Sequence, residues 1–125
     1  MNKNIETRLR EAFIKLYKRD VGKGPIQTNV GITKNYIVVE FIGIFTKLEK
    51  NLLNKNSGEE IVRNLRSNLK DHVLNSHIEE VERMFQCKVI EFLSKLSIEN
   101  DSLYLLFVLD KNIDNLSVDG PIGTE

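Results

Sequence analysis

The spacing of hydrophobic and polar positions divides the chain into alternating helical and strand-like blocks. Apolar residues recur every three to four positions over residues 4–19, with charges between them, which predicts an amphipathic helix. From residue 26 the period changes to two, and a "TKN" turn then leads into the denser run "YIVVEFIGIF" at residues 36–45. This pattern predicts a β-hairpin. A second hairpin is predicted from residues 87–98 and 103–110, around the turn "ENDS".

Two helix-start signals lie between the hairpins. "TKLE" and "SGEE" each place a hydroxyl three residues before a glutamate, an arrangement that satisfies free amides at a helix N-terminus. We therefore predict a short helix beginning at Thr46 and a long one beginning at Ser57. At 1.5 Å per residue the long helix would run about 40 Å if unbroken, against about 17 to 20 Å for a typical strand. We expect part of it to project, to bend or to pack on another subunit.

The order helix, hairpin, helix, hairpin predicts an α+β fold. The simplest arrangement is a two-layer sandwich in which a four-stranded antiparallel sheet carries helices mainly on one face. We assign one domain to residues 1–111. Residues 112–125, "NIDNLSVDGPIGTE", form a polar tail that we expect to be exposed or flexible.

Two of the predicted strands are apolar on both faces. This holds for "LYLLFVL" at residues 103–109 and nearly so for "YIVVEFIGI", where only Glu40 intervenes. A single layer of helices covers one face, and burying apolar surface contributes about 25 cal/mol per Å². The pattern therefore predicts a homodimer, or a helix folded over the second face. A buried Glu40 would need hydrogen bonds or a cation, for which Lys34, Lys47 or an arginine of the long helix are candidates.

Composition narrows the class of protein. The 125 residues are 41% hydrophobic, and 18 basic residues balance 18 acidic ones, so no net field attracts nucleic acid or an anionic membrane. The one cysteine, Cys87, has no partner for an internal disulfide, which favours a reducing compartment and hence the cytoplasm. The longest apolar run is half of the roughly 20 residues that span a bilayer, and the N-terminus lacks the features of a secretion signal.

The stretch "GKGP" at residues 22–25 resembles a phosphate-binding loop only superficially. Such loops lead into a helix N-terminus, whereas this one leaves the C-terminal end of a helix, whose dipole favours Lys23 itself. Gly22 suits the left-handed residue that closes a helix, and Pro25 prevents its continuation. We interpret the stretch as a corner; the alternative is that Lys23 reaches an anion supplied by a neighbouring element or subunit.

Other candidate chemistry is sparse. His72 and His77 are five residues apart, roughly 140° around a helix, so they do not share a metal. We expect His77 to be structural, in a pairing with Glu80 or Glu82; the alternative is a pH-sensing role. Cys87 is expected to behave as a small buried hydrophobic residue.

Arg63 and Arg66, with Lys70, form a basic ridge on the long helix. Such ridges are usually solvated or paired, here with Glu59 or Glu60, and the alternative is a contact with an anion or a partner. Since no nucleophile, acid–base pair, metal site or cofactor motif stands out, we expect a protein that is not an enzyme and needs no cofactor.

Several segments together resemble one small bacterial family. They are "GKGP", "YIVVEFIGIFTKLEKNLL", "GEEIVRNLR", "VERMFQCKVIEFLS" and "LFVLD", in the order and spacing of the MpsC-like family over residues 5–110. Relatives carry a histidine-containing turn before the last strand, where this chain has "SIENDS", so a role for that histidine does not carry over. The positions that match the family pattern are Gly22, Gly24, Pro25, Gly43, Thr46, Glu49, Arg63 and Arg66.

The resemblance implies a function. It points to a non-enzymatic cytoplasmic accessory protein of a cation-translocating, membrane-potential-generating system linked to inorganic carbon uptake. Its expected partners are a second copy of itself and a membrane transporter subunit. The alternative is a module that binds a small anion through Lys23, Arg63 and Arg66, within one chain or across a dimer.

Overall fold

The computed structural model describes residues 4–114, which form three helices and one four-stranded sheet. This α+β arrangement confirms the predicted fold class. The helices are α1 (Ile5–Val21), α2 (Lys47–Leu53) and α3 (Gly58–Phe85), and the strands are β1 (Gln27–Thr33), β2 (Tyr36–Ile42), β3 (Val89–Ser97) and β4 (Ser102–Leu109). No helix within residues 4–114 is long and apolar enough to cross a bilayer.

The sheet is antiparallel throughout, with strand order β1-β2-β4-β3. Each predicted hairpin forms, and the two hairpins join through the pairing of β2 with β4. The two most apolar strands are therefore the two central ones. They have a strand neighbour on each side, which leaves β1 and β3 as the edges.

The helices cover one face of the sheet. Phe13 of α1 packs with its ring centroid 6.5 Å from that of Phe41 on β2 and 5.7 Å from that of Phe107 on β4. Tyr17, one turn further along α1, lies 4.9 Å from Phe41. These fully buried aromatic rings form the centre of the core, and their burial fixes α1 against the middle of the sheet.

The opposite face carries no helix among the described residues. Its central row consists of Leu93, Leu106 and Val38, which pair across β3, β4 and β2. Leu93 is 55% exposed and Val38 49% exposed. The alternative of a helix folded over this face is therefore wrong for residues 4–114, because all three helices lie on the other side.

Glu40 also lies on the helix-free face, and its partner is not a cation. Its carboxylate accepts a hydrogen bond of 2.9 Å from the side-chain amide of Asn29, directly opposite on β1. The expectation of a lysine or arginine partner is wrong. The strand position leaves Glu40 only partly buried, so a neutral donor and water suffice.

The two predicted helix starts differ in chemistry. Thr46 and Glu49 form the reciprocal capping box, with the Glu49 amide donating to Thr46 Oγ1 and the Thr46 amide donating to Glu49 Oε1. Ser57 precedes α3 as predicted, but its side chain makes no capping hydrogen bond. The reason is its left-handed backbone, with φ of 64°, which the short connection from α2 imposes.

Helix α3 is unbroken over 28 residues and divides into two halves. In the second half Val73, Leu74, His77 and Val81 are buried against α1 and the sheet. Between Val62 and Val73, in contrast, every residue is exposed except the half-buried Arg66. Val62 anchors the first half of the helix in the core, but its neighbours over residues 63–72 project into solvent, which is one of the three outcomes expected from its length.

Packing continues beyond the predicted domain boundary at residue 111. Ile113 is fully buried, and its amide donates to the Lys34 carbonyl at 2.8 Å. The first residues of the predicted tail thus pack next to the β1–β2 turn. The remainder of the tail, 115–125, lies outside the described residues, so its predicted flexibility stays a prediction.

Candidate functional site

Arg66 makes the densest polar network among the described residues. Its guanidinium forms two 2.7 Å hydrogen bonds to the two carboxylate oxygens of Glu49, and it also donates to the Tyr17 hydroxyl at 2.6 Å and the Ile44 carbonyl at 3.0 Å. It lies 5.4 Å from the centre of the Phe45 ring. The network therefore ties α1, α2 and α3 to the end of β2.

This network fixes the charges of its members. Burial of the Arg66 guanidinium opposes its charge, but Glu49 and Tyr17 outweigh burial, so the pKa of Arg66 is raised. Burial alone would raise the pKa of Glu49, yet the hydrogen bonds from Arg66 and Thr46 lower it. Burial also raises the pKa of Tyr17. The site is a neutralised ion pair with a phenol that stays protonated.

Lys23 lies at the same turn as Arg66. Its ammonium donates to the Gly43 carbonyl at 2.7 Å and to the Gly24 carbonyl at 3.3 Å. The "GKGP" stretch has the geometry of a corner, since Gly22 closes α1 with φ of 93° and its amide donates to the Lys18 carbonyl. Lys23 thus bonds the Gly43 carbonyl, immediately before the Ile44 carbonyl that Arg66 bonds.

Asp101 holds the turn from the other hairpin. One carboxylate oxygen accepts hydrogen bonds from the amides of Ile44 and Phe45, at 2.8 and 2.9 Å, and the Asp101 carbonyl accepts from the Gly43 amide at 2.7 Å. Gly43 has φ of 71°, and a Cβ there would lie 2.5 Å from the Ile26 side chain. We call Lys23, Arg66 and Asp101 the turn clamp, because together they bond every backbone polar group between the Gly43 amide and the Phe45 amide.

The three residues predicted to bind an anion have different environments. Arg66 is enclosed and Lys23 bonds carbonyls, whereas Arg63 is exposed and pairs with Glu59 at 3.0 Å along the helix surface. The Arg63–Glu59 pair matches the expected alternative for the ridge. All three side chains already form hydrogen bonds, which at Lys23 and Arg66 are part-buried, and the anion-binding hypothesis stays a prediction.

His77 is a core residue, but its predicted pairing with an acid is wrong. Its Nδ1 lies 3.1 Å from the Val73 carbonyl, and its ring packs 4.8 Å from Phe13. Of the two acids expected to pair with it, Glu80 binds Arg83, and Glu82 accepts from the Val89 amide. Burial lowers the pKa of His77, so the imidazole is neutral near pH 7.

Metal and thiol chemistry find no support in residues 4–114. No group of three histidine, cysteine, aspartate or glutamate side chains there is arranged to hold a metal ion. Cys87 is half-buried, and burial raises the pKa of its thiol to about 11. A thiol with such a pKa is a poor nucleophile at neutral pH.

A groove of about 430 Å³ opens beside the Arg66 network. One wall is the projecting half of α3, including Arg63, Ser67 and Lys70, and the opposite wall includes Leu96 and Leu103 from the β3–β4 hairpin. Residues of α2 and of the end of α1 complete the lining. We call this space the α3 groove.

Sequence reasoning missed two members of the site. Tyr17 reads only as an apolar position of α1, and Asp101 reads as a turn residue of "ENDS", so neither signals a contact with the β2 end. The family pattern does include Glu49 and Arg66, although the capping box already explains Glu49. Its second role becomes visible only when α2 and α3 are placed side by side.

Comparison of the sequence with known proteins identifies one family. No curated protein and no solved structure matches the chain. The sequence pattern of the family described as "Na+-translocating membrane potential-generating system (MpsC)" matches residues 1–111, which include the turn clamp, the α3 groove and all four strands. The chain therefore belongs to the MpsC family, as its resemblance predicted.

Proposed function

We propose that this protein is a non-enzymatic, cytoplasmic accessory protein of a Na+-translocating, membrane-potential-generating system, and that it works as a homodimer. Family membership supports the association with such a system. The observation that carries the interaction role is the apolar row of Leu93, Leu106 and Val38 on the helix-free face, in which Leu93 and Val38 are exposed and Leu106 is half-buried. Exposed apolar patches of this kind are typical of protein contact surfaces.

The helix-free face suits a second copy of the chain because its charges are self-complementary. Glu91 and Lys95 flank Leu93 on β3, two residues to either side, and both are exposed. If two sheets stack about a two-fold axis that runs along the central row, Leu93 meets Leu93 of the second copy. Lys95 then lies opposite Glu91 of that copy, and Glu40 lies opposite its Tyr36. Sheets stacked in this way pack about 10 Å apart.

The contact with the membrane subunit is proposed for the projecting half of α3. Ile61, Leu65 and Leu69 recur at intervals of four residues and are each between 43% and 48% exposed. The neighbouring basic groups of Arg63 and Lys70 suit an acidic cytoplasmic segment of a partner. This surface stays accessible when the helix-free face is occupied, because it belongs to the opposite layer.

Co-purification tests the proposed function. The tagged chain is co-expressed with the membrane component of such a system, extracted in mild detergent and captured, and its mass is measured in parallel by light scattering. We expect Leu93→Lys to give a monomer that still captures the membrane component, and Ile61→Lys to give a dimer that captures less of it. A wild-type monomer would contradict the dimer, and a well-folded dimer that never captures the component would contradict the accessory role.

A further inference from the structure

The α3 groove interrupts the regular apolar seam of α3. Arg63, Ser67, Lys70, Leu74, His77 and Val81 follow one another at alternating intervals of four and three residues, which is the spacing of a single buried helix face. The last three are buried in the core, whereas the first three are exposed and line the groove. Arg63, Ser67 and Lys70 are therefore hydrophilic residues on the helix face that is buried in the core further along α3.

The sheet wall of the groove is mainly apolar, with Ser94 as its one polar side chain among the lining residues. Leu96 and Leu103 pair with each other across β3 and β4 and lie on the helix-facing side, together with Phe92 and Phe107. Leu52 and Val73 add apolar surface from the helices. The groove thus has one largely apolar wall and one wall that carries ammonium, guanidinium and hydroxyl groups. Such a lining suits an amphiphile, which has an apolar chain and a polar head group.

The size of the groove indicates a small ligand. A volume of about 430 Å³ lies within the range of small-molecule sites, roughly 300 to 1,000 Å³. Two to three turns of a partner helix, about 10 Å in diameter, would fill on the order of 1,200 Å³. A single alkyl chain with a head group fits this volume, whereas a docked helix does not.

The charges at the groove favour an anionic head group. The acidic groups in its lining, Asp20 and Glu49, are bound to Arg19 and Arg66 respectively. Arg63 is bound to Glu59. Within residues 4–114 the ammonium of Lys70 has no hydrogen-bond or ion-pair partner, so the lining retains an unneutralised positive charge beside its apolar wall.

We propose that the α3 groove binds a free single-chain anionic amphiphile, with its carboxylate at Lys70 and Arg63 and its alkyl chain against Leu96 and Leu103. This site is separate from the proposed dimer face, but its lining shares Arg63, Leu65, Leu69 and Lys70 with the proposed membrane contact. Binding of the amphiphile is measured on the purified chain without the membrane component, so a failure of this proposal and a failure of the proposed function are distinguishable. The carboxylate forms charge-assisted hydrogen bonds with the cations, and the chain covers leucine side chains that the helix leaves exposed.

Calorimetry with decanoate below its micelle concentration tests the proposal. We expect saturable one-to-one binding, with octanoate about sixteenfold weaker because it lacks two methylenes and each buried methylene changes affinity by about fourfold. Decanamide, which has the same chain without the charge, and acetate, which has the charge without the chain, are expected not to bind measurably. Equal binding of acetate and decanoate would overturn the assignment of the alkyl wall.

Two variants locate the site. Lys70→Gln is expected to weaken decanoate binding by about tenfold, whereas Lys15→Gln, the same change on an exposed position of α1, leaves it unchanged. Ser67→Leu completes the apolar seam and fills the groove, so we expect it to abolish binding while the melting temperature stays equal or rises. An unaltered affinity in both Lys70→Gln and Ser67→Leu would overturn the location.

Membrane lipid is the competing source of the same head-group chemistry. Flotation with vesicles of phosphatidylglycerol and phosphatidylcholine separates the two sources, because the chains of bilayer lipids are not free to enter the groove. We expect the protein to stay in the unbound fraction. Binding to these vesicles in the absence of any decanoate binding would overturn the proposal and assign the cations to a membrane surface.

Discussion

At the scale of single residues, neighbouring arginines of α3 have opposite roles. Arg63 and Arg66 lie three positions apart, and each forms an ion pair, but the side chain of Arg63 is 47% exposed and that of Arg66 only 14%. Solvent screens an exposed pair, whereas breaking a buried pair leaves an uncompensated charge. Substituting the exposed Arg63 is therefore a control for substituting the buried Arg66.

Arg66→Met is expected to lower the free energy of unfolding by about 3 to 5 kcal/mol, because it leaves Glu49 buried without its cation. Arg63→Met is expected to cost less than about 1 kcal/mol. Urea denaturation followed by circular dichroism measures both. Similar losses for the two variants would show that the Arg66 network does not hold the helices together.

His77 makes stability depend on pH. Burial holds its pKa below the usual 6.5, so below about pH 6.5 the unfolded chain takes up a proton that the folded chain resists. The free energy of unfolding should therefore be nearly constant from pH 7.5 to about 6.5 and fall as the pH drops further, by at most about 1.4 kcal/mol per pH unit. The lowered pKa of Glu49 adds a further loss only below about 4.5.

The His77 prediction is checked by urea denaturation between pH 5 and 7.5. His77→Leu is expected to flatten the profile in this range, whatever its effect on absolute stability. The exposed His72 provides the matched control, since His72→Leu should keep the wild-type slope. A slope that persists in His77→Leu would assign the pH dependence to another group.

At the scale of secondary-structure elements, the connection between α2 and α3 permits little change. A Cβ on Gly58 would lie 1.6 Å from the Leu52 carbonyl oxygen, which is a backbone atom that cannot swing aside. Gly58→Ala should force the two helices apart and lower the free energy of unfolding by about 3 kcal/mol. Gly31→Ala on β1 meets open space and should change it by less than about 1 kcal/mol. Thermal and urea denaturation measure the free energy of unfolding of both variants. Equal stability of Gly58→Ala and Gly31→Ala would show that the α2–α3 junction relaxes around the added methyl group.

The elements also show what sequence patterns can and cannot predict. Local periodicity and the capping box at Thr46 predict both hairpins and the start of α2, because these features depend on neighbouring residues. The same pattern fails at Ser57, where the tight packing of Gly58 against Leu52 sets the backbone. It also fails for Glu40 and His77, whose partners depend on strand register and on the docking of α1.

At the scale of the whole molecule, the helices cover one face of the sheet, and no helix of residues 4–114 covers the other. The sequences of β2 and β4 are apolar on both faces, so they predicted that one layer of helices would leave apolar side chains uncovered. The sequence did not predict that these two strands lie in the middle of the sheet. The turn clamp could not be predicted, because Lys23, Arg66 and Asp101 come from three distant parts of the sequence. The positions that match the family pattern include one of these three residues, Arg66, without indicating what it contacts.

Charge reversal tests the proposed stacking of two sheets. Lys95→Glu places acidic groups opposite Glu91 of the second copy and should weaken the dimer by about tenfold or more. Adding Glu91→Lys to the same chain restores opposite charges and should recover the wild-type dissociation constant. Analytical ultracentrifugation over a concentration series measures this constant. A double variant as weak as Lys95→Glu would exclude this register of the two copies.

The turn clamp also bears on how the chain folds. Its hydrogen bonds join the β2 end to residues 20 to 58 positions away, so they form only after both hairpins and α3 have met. Contacts that close large loops in this way tend to be completed late. Weakening the clamp should therefore raise the unfolding rate constant and leave the folding rate constant nearly unchanged. This turn then determines how long the chain stays folded.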